Sequence, residues 1–287
     1  MKTYLDCIPC FFKQALDAAR IAGCNEAKQK EILDKLCKLI SEFDLNSSPP
    51  VMGRAFYRLV EKVSGNSDPF NEVKEKANKL AVGLYPKLKE LVEHSEDRLL
   101  MAIELAISGN VIDYGVKNQL DVDSQIERVL SGKFPTQTKA LFEYKRFKEA
   151  LASAETILYL TDNTGEILFD RILIEELNKE VVCALRDKPI INDATIEDAK
   201  YCGLDKAAVV ISSGCDAPGI LLDRCSEEFL HLYEQADLII SKGQGNFEAL
   251  TDEDKPIYFL FKVKCPVVAK DVGGEVGDIV LKGPDKW

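Results

Sequence analysis

The sequence predicts an α/β protein: an N-terminal helical domain over residues 1–150, then a Rossmann-like three-layer α/β domain over residues 151–287 with a mainly parallel sheet. Three observations carry that prediction. Through the first half, apolar residues recur three and four apart with charges between them, the period of an amphipathic helix. After Glu155 the pattern changes to short runs rich in β-branched and aromatic residues, apolar on both faces, as strands buried in a parallel sheet must be. Those runs alternate with segments of helical period, which implies βα units with helices covering both faces of the sheet.

Taken in order, CFFKQALDAARIAG, AKQKEILDKLCKLISEF, DPFNEVKEKANKLAVGLYPKLKELVEH and DRLLMAIELAISGN read as helices, and residues 123–150 supply two more helical runs. Gly23, Gly109 and Gly115 fall where helix C-caps belong, and Asp68-Pro69 reads as a helix start. Ser47-Ser48-Pro49-Pro50 reads as a loop, too short for a domain linker. In the second half TILYLT, VVCALR, AAVVIS, DLIIS and IYFLFKV read as five strands. FDRILIEELNKE, ATIEDAKYCGL, PGILLDRCSEEFLHLYEQA and GNFEALTDED lie between them, most of them helical in period. No internal repeat or low-complexity tract interrupts the pattern.

Composition narrows the function. A chain of 287 residues, 46% hydrophobic and 30% charged, can bury a real core as one large or two modest domains. The net charge of −11 argues against a nucleic-acid partner, which needs a basic surface. It still admits a phosphorylated small molecule, because a local basic pocket or a metal overrides the global sign. No apolar segment approaches the roughly 20 residues of a membrane span, and the start, MKTYLDCIPCFF, has only a broken apolar run. Nine dispersed cysteines suit reduced thiols in a cytoplasmic protein better than a disulfide framework. An oligomer is compatible with the sequence, which does not specify one.

Each strand of the second half ends in a polar cluster: Asp162-Asn163 after TILYLT, Asn192-Asp193 a little beyond VVCALR, Ser213-Gly214 after AAVVIS, Lys242-Gly243-Gln244-Gly245-Asn246 from the end of DLIIS, and Lys264 after IYFLFKV. Ligands of open α/β sheets bind beyond the carboxyl ends of the strands, so this rim is the candidate site. Asp162, Asn163 and Asp193 are hard oxygen donors suited to Mg²⁺ or Mn²⁺. Gly165 and Gly214 let backbone N–H groups approach an anion, and Lys242 and Lys264 can neutralise a phosphoryl group. Each piece alone has a plainer reading. Asp162-Asn163-Thr164 and Asn192-Asp193 could be N-caps, and Lys242-Gly243-Gln244-Gly245 a turn. Arg54 and Arg58 share a helix face that more often meets solvent, and Asn110 and Asp113 could face the cleft or end a helix. Cys7-Ile8-Pro9-Cys10 lacks the second pair that a structural zinc needs, so helix-packing thiols are the expectation there.

In their order, Asp162-Asn163-Thr164-Gly165-Glu166, PIINDAT, SSGCDAPG, SKGQGNFE and LFKVKCP resemble the metal-dependent damage-control phosphatases, the ARMT-like proteins of domain-of-unknown-function family 89. CIPCFFKQAL, DPFNEVKEKAN and ISGNVIDYG are similar to the CxxC-bearing archaeal and bacterial branch. The resemblance implies a divalent metal (Mn²⁺, Ni²⁺, Co²⁺ or Mg²⁺) on Asp162, Asn163 and Asp193. It places substrate phosphate near Ser213, Gly214, the loop Lys242, Gly243, Gln244, Gly245 and Asn246, and Lys264. It implies hydrolysis of phosphorylated metabolites such as sugar phosphates or damaged phospho-metabolites. Lys264 would stabilise phosphoryl charge, and Asp162, Asp193 and Glu166 would make up the catalytic carboxylates, with Asp193 or Glu166 moving a proton. One eukaryotic member has been described as a protein carboxyl methyltransferase. No glycine-rich loop follows the first strand here to hold S-adenosylmethionine, which argues against that activity. Two alternatives stand beside the phosphatase. One is an aspartyl-nucleophile phosphatase of haloacid dehalogenase type, which wants an Asp where Thr164 stands. The other is a non-enzymatic metabolite sensor, although a dinucleotide fingerprint fails because Gly243-x-Gly245 follows the fourth strand rather than the first.

Overall fold

The computed structural model describes residues 1–109, 127, 129 and 141–284. Asn110, Asp113, Gly115 and most of the helical runs expected over 123–150 lie outside the described residues. Three helices come first: α1 (Cys7–Ile21), α2 (Glu26–Glu42) and α3 (Pro49–Ser64). They bury one apolar stripe each against the others, through Phe11, Ala15 and Ala19 of α1, Ile32 and Leu36 of α2, and Met52, Phe56 and Val60 of α3. The Asn25 side chain accepts from the Lys28 N–H and caps α2. The Ser-Ser-Pro-Pro stretch is a loop only in its first half. Pro49 and Pro50 form the first turn of α3, where proline lacks only an N–H that would have had no helical partner.

The next two helices, α4 (Asn71–Glu93) and α5 (Arg98–Ser108), pack onto the sheet layer rather than onto α1–α3. Asp97 caps α5 by accepting from Leu100 N–H at 3.1 Å. Gly109 follows α5 in a right-handed conformation, so it is no left-handed cap. Asp68 pairs with Lys74 at 2.5 Å just ahead of α4, which begins at Asn71. The last helix of this half, α6 (Tyr144–Ser153), leads into the sheet.

Among the described residues six strands form one sheet: β1 (Ile157–Leu160), β2 (Val181–Leu185), β3 (Val209–Ser212), β4 (Leu238–Lys242), β5 (Ile257–Lys262) and β6 (Ile279–Lys282), in the order β3-β2-β1-β4-β5-β6. The first five run parallel and β6 pairs antiparallel with β5. The fold class is therefore the one the sequence predicts, with β6 added at the edge. Tyr159, Cys183, Leu185, Ile240 and Leu260 face α4, α5, α7 (Glu166–Leu177) and α8 (Ile196–Cys202). Leu158, Leu160, Ala184, Ile239 and Phe259 face α9 (Glu227–Gln235), α10 (Gln244–Leu250) and α11 (Pro266–Val272). Of the expected helix PGILLDRCSEEFLHLYEQA only its last half is α-helical; Leu222–Arg224 is a 3₁₀ turn.

The strand order determines where a site can form. From β1 the chain winds outward through β2 to β3, then crosses back to β4 on the other side of β1. The carboxyl ends of β1 and β4 are thus neighbours whose following loops diverge, which opens a crevice at the switch point. Among the described residues no helix is long and apolar enough to cross a membrane.

Candidate functional site

At the carboxyl end of β1, Thr161 keeps pairing with β2, its N–H and hydroxyl both donating to Ala184 O. The next residues pair elsewhere. The chain after β2 folds back, so that Asn163 and Asp193 lie opposite each other in an antiparallel bridge. Ala194 N–H donates to Asp162 O and Thr164 N–H to Asn192 O, each at 2.8 Å. This fold-back passes through Ile191 at φ +47°, a conformation that costs a β-branched residue about 1–3 kcal/mol. The strain is held by packing: Ile191 sits against the α1–α3 core.

Asp162, Asn163, Asp193 and Glu166 are all buried. Asn163 Nδ2 donates to Asp162 Oδ2 at 2.8 Å and to Glu166 Oε2 at 3.2 Å. Asp193 Oδ2 accepts from Arg186 Nε at 2.7 Å. Burial pushes the Asp162 carboxyl well above its ordinary range, and the Asp193 and Glu166 carboxylates push it further; Lys264 and Arg186 pull the other way without restoring it. Burial and the two neighbouring carboxylates thus disfavour an ionised Asp162 in the protein alone, a setting in which a bound cation would be favourable. Among the described residues no group of three or more His, Cys, Asp or Glu side chains could hold a metal ion. The candidate set is instead two carboxylates and the Asn163 carboxamide, hard donors that fit a small divalent cation retaining several waters.

Two glycines shape the pocket. Gly165, at φ +71°, turns the chain from the Asp-Asn-Thr loop into α7, and its N–H donates to Asn78 Oδ1 of α4 at 2.8 Å. Gly243, at φ +84°, brings the end of β4 so close that a Cβ there would lie 2.1 Å from Asp162 Oδ2.

Several residues expected to bind phosphate have other partners. Lys242 is fully buried and its ammonium donates to Glu166 Oε1 at 2.6 Å, Asp170 Oδ1 at 2.6 Å and Ala106 O at 2.8 Å. Those are all three donors of an ammonium, so Lys242 neutralises carboxylates and caps the end of α5 instead of contacting a phosphoryl group. Asn246, also fully buried, accepts from Arg186 Nη2 and Ile220 N–H and donates to Thr161 O and Lys242 O. It ties β1 to β4 and has no capacity left for substrate. Ser213 is buried, with its hydroxyl oxygen accepting from Cys215 N–H at 3.2 Å. The Gly214 N–H donates to Ser212 Oγ at 3.1 Å. A Cβ on Gly245 would lie 2.1 Å from Pro218 O, so Gly245 packs two loops together. Gln244 Oε1 accepts from the Lys264 backbone N–H at 2.9 Å, which fixes the loop carrying that lysine. The Lys264 side chain is exposed, and its charge acts on Asp162. The structure therefore brings Asp162, Asn163, Glu166, Asp193, Gly243 and Lys264 together, and assigns supporting positions to Lys242, Asn246, Ser213, Gly214 and Gly245.

Arg186, Asp170, Asn78 and the Arg54/Arg58 pair join this neighbourhood without having been expected from the sequence. Arg54 and Arg58 reach Asp216 at 2.5 and 3.1 Å, anchoring the SSGCDAPG loop to α3. A signal exists for two of the others. Arg186 is a charge at the end of an apolar strand, as Asp162 is, and Asn78 falls on the buried stripe of α4 with Lys74, Ala77 and Ala81.

This fold and this site define a doubly wound α/β protein that gathers oxygen donors at the switch point of its sheet. The damage-control phosphatase ARMT1-like domain model matches residues 3–280, and the chain belongs to that family. It is 37% identical over 288 residues to a damage-control phosphatase of Pyrococcus horikoshii, covering 98% of this chain and 97% of that one. It is 36% identical to a damage-control phosphatase of Archaeoglobus fulgidus, covering 96% and 97%, and 40% identical to an uncharacterised protein of Methanocaldococcus jannaschii, covering 96% and 93%. The crystal structure of a family-89 protein from Pyrococcus horikoshii superimposes with a TM-score of 0.87 at 35% identity, over 99% of this chain and 100% of the other.

Proposed function

We propose that the protein is a divalent-metal-dependent phosphatase that hydrolyses phosphomonoesters of small metabolites, sugar phosphates or damaged phospho-metabolites among them. The single observation that carries this reading is the convergence of Asp162, Asn163 and Asp193 at one buried pocket, with the exposed Lys264 close enough for its charge to act on Asp162. The names of its relatives support the phosphatase class. Mn²⁺, Ni²⁺, Co²⁺ or Mg²⁺ would supply charge neutralisation and a lowered water pKa. Asp162, Asn163 and Asp193 would hold it by oxygen. Lys264 would draw the phosphoryl group in and stabilise charge on its oxygens. Arg186 orients Asp193 and limits the repulsion between that carboxylate and Asp162. Asp193 or Glu166 would move the proton; Glu166 is held by Asn163 and Lys242, and Asp193 by Arg186. The aspartyl-nucleophile alternative gains nothing from the geometry, because Thr164, where a second acid would stand, is buried and carries a hydroxyl rather than a carboxyl group.

Asp162→Asn tests the reading with two opposite outcomes. Phosphate release from a sugar-phosphate panel with added Mn²⁺, Ni²⁺, Co²⁺ or Mg²⁺ should fall about 100-fold or more, and stripping with a chelator should do the same to the unaltered protein. The metal-free variant should nevertheless melt a few degrees higher than the parent at neutral pH. Asp162 is held above its unfolded value, so its contribution to stability is fully present below the unfolded pKa and is lost as pH rises through the folded one. Asn carries no such loss. Activity that survives chelation, or survives in Asp162→Asn, removes the proposal.

A further inference from the structure

We infer that Glu166 and Lys242 are a positioning pair for the cation site: Lys242 anchors the Glu166 carboxylate, and Glu166 fixes the Asn163 carboxamide so that its oxygen faces the pocket shared with Asp162 and Asp193. The inference rests on the metal-dependent reading above and assigns to this pair a role in building the site rather than in touching substrate.

A carboxamide has an acceptor end and a donor end of nearly the same shape, and only the oxygen can ligate a cation. Beside carboxylates, Asn163 has two faces to choose between, and the structure shows what decides. Its Nδ2 reaches Asp162 Oδ2 at 2.8 Å and Glu166 Oε2 at 3.2 Å, so both amide hydrogens go to carboxylates. Rotating the amide by half a turn would set Oδ1 against two carboxylate oxygens and lose both bonds. The remaining Glu166 oxygen, Oε1, accepts from Lys242 Nζ at 2.6 Å. Lys242 is itself held by Asp170 and Ala106 O, and it is 0% exposed while Glu166 is 2% exposed, so neither side chain can swing away. A glutamate serving only the N-terminus of α7, where an acid complements the helix dipole, would not need a buried lysine behind it or an amide ahead of it.

The test is a Mn²⁺ titration of metal-free protein, followed by the electron paramagnetic resonance signal of the free ion, on the parent chain, Glu166→Gln, Asn163→Asp and the double variant. Melting by circular dichroism on each reports the fold. In Glu166→Gln the new amide donates to Asn163 Oδ1 and turns the carboxamide, so Mn²⁺ affinity should fall about 10- to 100-fold. Asn163→Asp presents oxygen whichever way the side chain is turned, and it can accept from the amide that Glu166→Gln introduces. The double variant should therefore bind to within about threefold of Asn163→Asp alone. Glu166→Gln binding Mn²⁺ like the parent, or a double variant no better than Glu166→Gln, overturns the inference while the cation site stands. A parent protein that does not bind Mn²⁺ removes the metal-dependent reading and this inference with it.

Discussion

Replacing Lys242 by methionine is expected to destabilise the metal-free protein by about 3–5 kcal/mol at pH 8, the magnitude found when one partner of a buried ion pair is removed. Methionine fills a similar volume but leaves Glu166 and Asp170 facing each other, both buried, with no cation between them. It also leaves Ala106 O without its donor at the end of α5. Burial alone would pull the Lys242 ammonium down, yet Asp170 and Glu166 outweigh burial and raise it. Burial pushes Asp170 up to about 6 even with Lys242 pulling the other way. A carboxyl group raised in the folded state contributes stability that is lost as pH rises through that value, and without Lys242 the loss is larger. Urea denaturation should therefore show a deficit at pH 8 that shrinks toward pH 5, as Asp170 takes up a proton. A variant as stable as the parent at pH 8 would mean that the network contributes little.

Gly243→Ala is expected to damage the site more than the fold. The position has φ +84°, which strains any L side chain by about 1–3 kcal/mol, but the stronger effect is local. The added methyl would stand 2.1 Å from Asp162 Oδ2 and 2.2 Å from its Cγ, so the carboxylate must rotate out of the pocket. Phosphate release should fall about 100-fold or more, in line with the loss of one preorganised charged group. Gly273→Ala is the control. It has a similar φ of +76° with nothing within 4 Å of the added carbon, so it should lower stability by about 1 kcal/mol and leave phosphate release unchanged. Equal losses of activity in the two variants would assign the effect to backbone strain alone.

The carboxyl-end rim is legible in the sequence because a buried strand does not run into Asp162-Asn163 without a reason. The fold-back that sets Asp193 opposite Asn163 is not, since it depends on Ile191 being held at positive φ by the α1–α3 core. Lys242 reads as a phosphate ligand, whereas in the structure its ammonium is buried on three protein acceptors, and strand parity carries a warning of this. It shares a face with Leu238 and Ile240, both turned toward α4, α5 and α7, so its side chain enters the layer beneath the rim. Asp170 sits on a helix buried on nearly every side, and an acid in a helix ordinarily faces solvent. Arg54 and Arg58 invite the same ordinary reading, and only the tertiary fold brings Asp216 to them. β6 lies outside the βα alternation read from the sequence, because it pairs antiparallel with β5 at the sheet edge.

The most direct test of the account is diffraction from a crystal soaked in Mn²⁺, recorded where manganese scatters anomalously. An anomalous peak is expected about 2.1 Å from oxygens of Asp162, Asn163 and Asp193. No peak there, at a Mn²⁺ concentration that saturates phosphate release, would contradict it.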